Sequence, residues 1–405
     1  MGSSSSGSST TAAHWRHELQ RQLASLPEQR RRALRSFEPA DGAAALRTSA
    51  SAPLLDLASN DYLGLSRHPA LVAAAQAAAA GEGVGAGASR LVSGSRPVHA
   101  ALETALARWL GRERVLLFPS GFQANLAAVA ALADRHSLVL ADRLIHQSLL
   151  SGVRASGARL QRFGHNDLTD LDRRLQTARQ ERPNQRLLVL SESLFSMEGT
   201  SPDVAALAAL CAGYGAALLL DEAHALGVMG QGGRGLGHGL HGEGGQPEIA
   251  LISGTFGKAF GSGGAFLAGD SLVIEWLLQF SGPFRYTTAL APPLAASALA
   301  ALQQIQAEPR GQALLQRAER WRTALGAAGW PRPPGVGPIL PLLVGDDHLA
   351  LALQQRLEAA GLLSVAIRPP TVPEGTARLR LVLRHDLTAG TLGRLLAALG
   401  DPPCK

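Results

Sequence analysis

The 405-residue sequence has only two cysteines, Cys211 and Cys404, and only 4% aromatic residues. Two cysteines are too few for the disulfide framework of a small secreted protein. No apolar run reaches the roughly 20 residues that a membrane-spanning helix requires. The Ser/Gly-rich start lacks the apolar core of a signal peptide. These absences favour a cytoplasmic protein with no membrane partner, in which residues 1–13 form a disordered tail.

Acidic residues are outnumbered, because 38 Lys and Arg oppose 32 Asp and Glu, a net charge of +6. The arginines are nevertheless spread along the chain, and no basic block alternates with aromatic residues, so nucleic-acid binding is not predicted. A hydrophobic content of 46% with 17% charged residues is typical of a globular protein. The length allows a large core and a second domain.

From residue 115 onward, short apolar runs alternate with helical segments. Such runs are typical of buried strands in a mostly parallel sheet with helices on its faces, which predicts an α/β fold. We expect an N-terminal helix and strand segment at residues 14–58, with the helix over 14–37. A large domain is expected at 59–293 and a smaller α/β domain at 294–405.

Polar residues follow several of these predicted strands directly. In open α/β sheets, ligands bind outside the carboxyl ends of the strands, so we expect these residues to converge on one crevice. They are Gly121 and Phe122, His146, Ser196, Asp221 with His224, and Thr255 with Lys258.

An Asp after one strand and a Lys after a later one are what a pyridoxal phosphate (PLP) enzyme needs. Asp221 would hold the pyridinium nitrogen, and Lys258 would carry the cofactor as a Schiff base. The alternative is a surface lysine in a glycine loop and an Asp that caps a helix. The convergence of several strand ends favours the PLP interpretation, and no metal site is expected.

The other residues of the crevice have matching tasks. Gly121 and Phe122 open a helix, whose amides and dipole would hold a phosphate together with Thr255. His146 would lie flat on the cofactor ring, and His224 would bind its phenolic oxygen. A structural histidine is the alternative at His146.

Five motifs together resemble the α-oxoamine synthases. These are PLP enzymes of fold-type I that condense an amino acid with an acyl-CoA and decarboxylate the product. The resemblance spans about residues 30–400, and its motifs are SNDYLGL at 59–65, SGFQAN at 120–125, FSMEG at 195–199, DEAH at 221–224 and TFGK at 255–258.

The resemblance implies a homodimer and further roles. Lys258 would be the acid and base, and Ser196 would join His224 in holding the cofactor's oxygens. Arg368 would clamp the amino-acid carboxylate as a bidentate pair, and Thr371 would line the substrate site. An N-terminal substrate arginine is expected within residues 30–35, where the local pattern favours Arg35.

Segments at 141–144, 163–167, 366–373 and 377–381 are similar to one branch of the family. That branch condenses L-alanine with pimeloyl-CoA or pimeloyl-ACP in biotin biosynthesis. A sibling that uses glycine, such as 2-amino-3-ketobutyrate ligase or 5-aminolevulinate synthase, remains an alternative. A second alternative is a catalytically inactive partner subunit. The presence of Lys258 argues against it.

Overall fold

The computed structural model describes residues 8–42, 44–48, 52–242 and 248–402. The helices are α1 Ser8–Ala24, α2 Pro69–Glu82, α3 Pro97–Leu110, α4 Gly121–Leu132, α5 Gln147–Ser156, α6 Leu168–Glu181, α7 Val204–Gly213, α8 Ser271–Phe280, α9 Gly282–Arg285, α10 Pro292–Ala307, α11 Arg310–Ala327, α12 Asp347–Ala359 and α13 Thr391–Leu399. The strands are β1 Glu38–Pro39, β2 Ala45–Arg47, β3 Leu54–Asp56, β4 Arg114–Phe118, β5 Leu138–Asp142, β6 Arg159–Phe163, β7 Leu187–Glu192, β8 Ala217–Asp221, β9 Leu251–Thr255, β10 Ala265–Gly269, β11 Ile339–Gly345, β12 Leu362–Leu363, β13 Val365–Ile367 and β14 Ala377–Val382.

Seven strands form the main sheet in the order β4-β10-β9-β8-β7-β5-β6. The pairs from β9 to β6 are parallel, and β10 is antiparallel to both of its neighbours. The parallel strands therefore end on the same edge of the sheet. The expected α/β fold and the predicted strand and helix alternation are confirmed.

Side chains of each strand alternate between two apolar layers, as the period of a β-strand requires. In β5, Leu140 belongs to one core cluster and Val139 to the other. The first layer is covered by α3, α6 and α7, and the second by α4, α5 and α8. The sheet is thus buried on both faces, and polar chemistry is confined to its edge and strand ends.

There are two smaller sheets, of which the first joins the beginning and the end of the chain and the second contains only C-terminal strands. One has the order β1-β2-β3-β12 and the other the order β11-β14-β13. The sequence predicts one strand over 362–367, whereas the structure divides it at Ser364. Leu362–Leu363 pairs with β3, and Val365–Ile367 pairs with β14. The domain boundary at residue 294 stays a prediction. Helix α10, which begins near that boundary, packs on α2 and α3 of the predicted large domain.

The N-terminal segment differs from the expectation. Helix α1 begins at Ser8, inside the predicted tail, and ends at Ala24 instead of continuing to residue 37. Pro27 follows closely, and its ring cannot continue a helix. Residues 31–37 are not helical. Residues 1–7 of the tail and Cys404 lie outside the described residues, and Cys211 is buried in α7. No described helix has the length and apolarity to cross a membrane.

Arg384 ties the ends of the chain together through three carboxylates. It lies 3.1 Å from Asp56 of β3, 3.2 Å from Asp61 and 2.8 Å from Asp386. The Asp56 side chain is 1% exposed, so its charge depends on this cation and on the amides of Ala58 and Ser59. Burying a carboxylate without its partner is costly.

Arg384→Leu is expected to lower the free energy of unfolding by about 3 kcal/mol, because it leaves Asp56 buried without a cation. Denaturant titration measures the change. Arg332→Leu is the matched control, since its 2.9 Å pair with Glu319 is solvent-exposed and should contribute less than about 1 kcal/mol. Equal effects of the two substitutions would contradict a structural role for the Arg384 cluster.

Candidate active site

A cavity of about 200 Å³ lies at the carboxyl ends of the parallel strands. It is lined by Gly121, Phe122, Asn125, His146, Ser148, Glu192, Asp221, Ala223, His224, Ser253, Gly254, Thr255 and Lys258. A larger cavity of about 720 Å³ lies by the 227–234 loop and the start of α11, but its lining lacks an Asp and Lys pair. The smaller cavity is therefore the candidate active site.

Lys258 lies in the loop between β9 and β10, and its amine reaches into the cavity. Its Nζ is 2.8 Å from Nε2 of His224. Burial of the amine lowers the pKa of Lys258 to about 8, against the opposing effect of Asp221. A substantial fraction of this amine is therefore neutral near physiological pH, which a nucleophile or base requires.

His224 connects the lysine to a buried tyrosine. Its Nδ1 is 2.6 Å from the hydroxyl of Tyr62, which is fully buried. Burial, followed by the charge of Lys258, lowers the pKa of His224 well below its ordinary value. The imidazole is thus neutral, with one nitrogen as donor and the other as acceptor.

Asp221 is the last residue of β8, and two donors fix its carboxylate. Asn125 Nδ2 donates to Oδ2 at 2.6 Å, and the backbone N–H of Ala223 donates to Oδ1 at 2.9 Å. Asn125 is 2% exposed and comes from α4, so helix packing against the strand ends orients Asp221.

The same network reaches His146, the N-cap residue of α5. The Asn125 amide also donates to the Ser148 hydroxyl at 2.9 Å, and that hydroxyl is 2.7 Å from Nδ1 of His146. Partial desolvation lowers the pKa of His146. The imidazole is therefore held neutral and in a set orientation at the wall of the cavity.

Helix α4 begins at the opposite end of the cavity. Ser120 caps it by accepting from Gln123, and first-turn amides such as those of Gly121 and Phe122 lack intrahelical partners. Gly121 lies beside Thr255, because a Cβ there would be 3.5 Å from the Thr255 Cβ. The Thr255 hydroxyl donates to the carbonyl of Gly264 at 3.0 Å, which orients it beside the start of α4.

These residues fit PLP. Asp221 offers an acceptor for the ring nitrogen, Lys258 an amine for the aldehyde carbon, and the start of α4 an anion site for the phosphate. Asn125 Oδ1 is buried beside Asp221 and has no hydrogen-bond partner among the described residues. A donor on a bound molecule can therefore be accommodated at this end.

Ser196 does not line the cavity. Its carbonyl accepts from Nε of Arg380 at 2.6 Å, and Arg380 also donates to Asn60 at 2.9 Å. The sequence motifs contain Tyr62 and Asn125, but sequence reasoning assigned no role to them, nor to Ser148 or Arg380. Their functions depend on contacts between distant segments, for which the sequence carries no spacing signal.

The predicted substrate arginine Arg35 lies outside the cavity lining, and its role stays a prediction. It is exposed, pairs with Glu358 and stacks on Phe37 at 5.0 Å, away from the cavity lining. The cause is the early end of α1, after which the chain lies along α12.

A different arginine of the cluster meets the predicted substrate loop. Arg32 donates to the hydroxyl of Thr371 at 2.8 Å. Arg368 donates to the carbonyl of Gln29 and lies close enough to Arg32 for its charge to lower the pKa of Arg368, after the larger effect of burial. The N-terminal segment and the 368–371 loop thus come together, although neither lines the cavity.

Comparisons with known proteins agree with this site. The model of the aminotransferase class I and II family matches residues 52–399. An 8-amino-7-oxononanoate synthase from Chromohalobacter salexigens is 44% identical over 349 residues, which cover 86% of this chain and 89% of that protein.

Two solved structures extend the agreement. A serine palmitoyltransferase variant from S. paucimobilis with bound PLP has a TM-score of 0.84 at 26% identity, covering 96% of this chain and 97% of its own. The 8-amino-7-oxononanoate synthase from Francisella tularensis has a TM-score of 0.73 at 26% identity, covering 85% and 96%. The PLP expected from the sequence agrees with the PLP in the first structure, and the fold-type I architecture is confirmed. The chain therefore belongs to the aminotransferase class I and II family, within the group of 8-amino-7-oxononanoate synthases.

Proposed function

We propose that this protein catalyses the PLP-dependent decarboxylative condensation of L-alanine with pimeloyl-CoA or pimeloyl-ACP. The product is 8-amino-7-oxononanoate, an intermediate of biotin biosynthesis. The observation that carries the proposal is that one cavity is lined by both the Lys258 amine, held by His224, and the Asp221 carboxylate, held by Asn125. The name of the 44% identical relative supports the choice of substrates.

PLP, when bound, supplies an electron sink for the charge that develops at the amino-acid Cα. Asp221 supports this chemistry by holding a negative charge opposite the ring nitrogen. Its carboxylate is kept in place by Asn125 and by the Ala223 amide. The protein thus provides the orientation and the charge, and the cofactor provides the carbon chemistry.

Lys258 is the base that removes the Cα proton of the amino acid and later returns a proton. A pKa of about 8 suits this role, because a base works best when its pKa lies near the working pH. His224 holds the amine at 2.8 Å, and its neutral ring adds no competing positive charge. His146, held by Ser148, would cover one face of the cofactor ring.

Substrate binding and assembly extend the proposal. Arg368 is the expected partner of the amino-acid carboxylate, with Thr371 beside it. Because both lie outside the cavity lining, this role requires the 368–371 loop to approach the cavity when substrate binds. Ser196 is expected to hold an oxygen of the cofactor, which requires the loop after β7 to bring it toward the cavity. We further propose a homodimer that works in the cytoplasm.

Steady-state kinetics test the substrates. L-alanine with pimeloyl-CoA or pimeloyl-ACP is expected to give the highest kcat/KM in a panel that includes glycine with acetyl-CoA or succinyl-CoA, and L-serine with palmitoyl-CoA. Lys258→Ala is the matched control and should lower turnover by more than about 1,000-fold, because both nucleophile and base are lost. Preferred turnover of glycine or serine would overturn the substrate assignment, and full activity of Lys258→Ala would overturn the role of Lys258.

Asn125→Ala is expected to weaken PLP binding about tenfold, because Asp221 loses one of its two donors. The dissociation constant is measured by adding PLP to the apoprotein and following the visible band. Gln123→Ala serves as control, since Gln123 lies on the same helix and donates instead to the carbonyl of Pro283. An unchanged affinity in Asn125→Ala would show that Asp221 is held without it.

The rate at which the apoprotein takes up PLP should depend on pH through Lys258. Below its pKa of about 8 the amine is protonated and unreactive, and above it the amine is neutral. We expect the rate to rise about tenfold per pH unit below the pKa and to level off above it. Stopped-flow absorbance measures the profile. A rate that keeps rising toward pH 10, as for an ordinary lysine, would contradict the lowered pKa.

A further inference from the structure

A second carboxyl group, Glu192, lies beside Asp221 in the cavity. Glu192 is the last residue of β7 and is paired in register with Asp221 on β8. Residues paired in this way point to the same face of a parallel sheet. Glu192 lines the cavity and is 3% exposed. The proposed mechanism does not use it.

Two carboxylates so close together in a buried site do not both ionise readily. Their hydrogen-bond partners decide which one keeps the proton. Asp221 accepts from Asn125 and from the amide of Ala223. Glu192 has one donor facing it, the backbone N–H of His146. Asp221 is therefore the better supplied of the two carboxyl groups, with two hydrogen-bond donors on its oxygens.

We infer that Glu192 is a positioning residue that acts as a neutral acid, holding the backbone of His146 at the cavity wall and leaving Asp221 as the only charged carboxyl group at the cofactor. This inference rests on the proposed PLP site and adds a residue to it. It depends on no particular acyl donor or amino acid.

The surroundings of Glu192 agree with a neutral form. Burial, followed by the charge of Asp221, raises the pKa of Glu192 well above its ordinary value. The groups that face it are Asp221 on β8, His146 at the start of α5, Lys258 in the β9–β10 loop and Glu198 after β7. Among these, only Lys258 and the His146 amide favour a charged Glu192.

A neutral Glu192 matters because Lys258 balances one carboxylate, not two. A second negative charge in the cavity would stabilise the protonated amine and reduce the fraction available as base. It would also compete with Asp221 for the ring nitrogen. Glutamine has the same shape and a carbonyl acceptor, so it should replace a protonated glutamate with little change.

The test uses the visible absorbance of the PLP-loaded protein as a function of pH. Glu192→Gln is expected to leave the midpoint of this titration unchanged. If Glu192 were ionised, removing its charge would lower the midpoint by about 2 pH units, for charges about 5 Å apart. Asp221→Asn is the positive control, because it removes the charge that Asp221 carries and should move the midpoint downward.

Glu192→Leu tests the contact with His146. It keeps the site uncharged but removes the acceptor, so we expect kcat to fall about tenfold and the visible circular dichroism of bound PLP to change. Glu192→Gln should restore both. A midpoint shift in Glu192→Gln, or a Glu192→Leu protein with normal kcat and dichroism, would overturn the inference. The spectra need only bound PLP, so they remain informative if the proposed substrates prove wrong.

Discussion

The hydrogen bond from Asn125 to Asp221 is the interaction on which the candidate site depends. A buried carboxylate stays charged only when donors surround it. Asn125 supplies one of these donors at 2.6 Å and is itself held between α4 and α5. The charge opposite the cofactor ring therefore depends on how two helices pack on the second face of the sheet.

Few of the residues that line the cavity carry a charge. Lys258 and Asp221 are the charged pair, while His224 and His146 are kept neutral by desolvation and by the lysine. The neutral Glu192 inferred above fits this pattern. Because Asp221 and His224 are buried, a charge at either residue acts more strongly than it would at the surface. Such a site can orient a cofactor without offering it competing partners.

The sequence predicted the main sheet well, because most of its strands are apolar runs, and several parallel strands such as β8 and β9 end in a polar residue. For the same reason, it predicted most residues that line the cavity, including Asp221 and Lys258. It did not predict contacts that depend on packing between distant segments. Arg35 stays the predicted substrate arginine, but its pattern did not indicate that Arg35 pairs with Glu358 or that Arg32 meets Thr371. The sequence likewise did not indicate that the predicted strand over 362–367 is interrupted at Ser364. The interruption arises because β12 and β13, on either side of Ser364, belong to different sheets.

The antiparallel course of β10 determines how Lys258 can move. Both ends of the 256–264 loop are fixed in one sheet. A hydrogen bond from the backbone N–H of Phe256 to the carbonyl of Gly264, 2.9 Å long, closes the loop. Phe256 and Phe260 are fully buried on either side of the lysine. The backbone on both sides of Lys258 is therefore held by the sheet and by the core. In the proposed reaction, the lysine side chain would leave the reacting carbon and return to it in every cycle while this backbone stays in place.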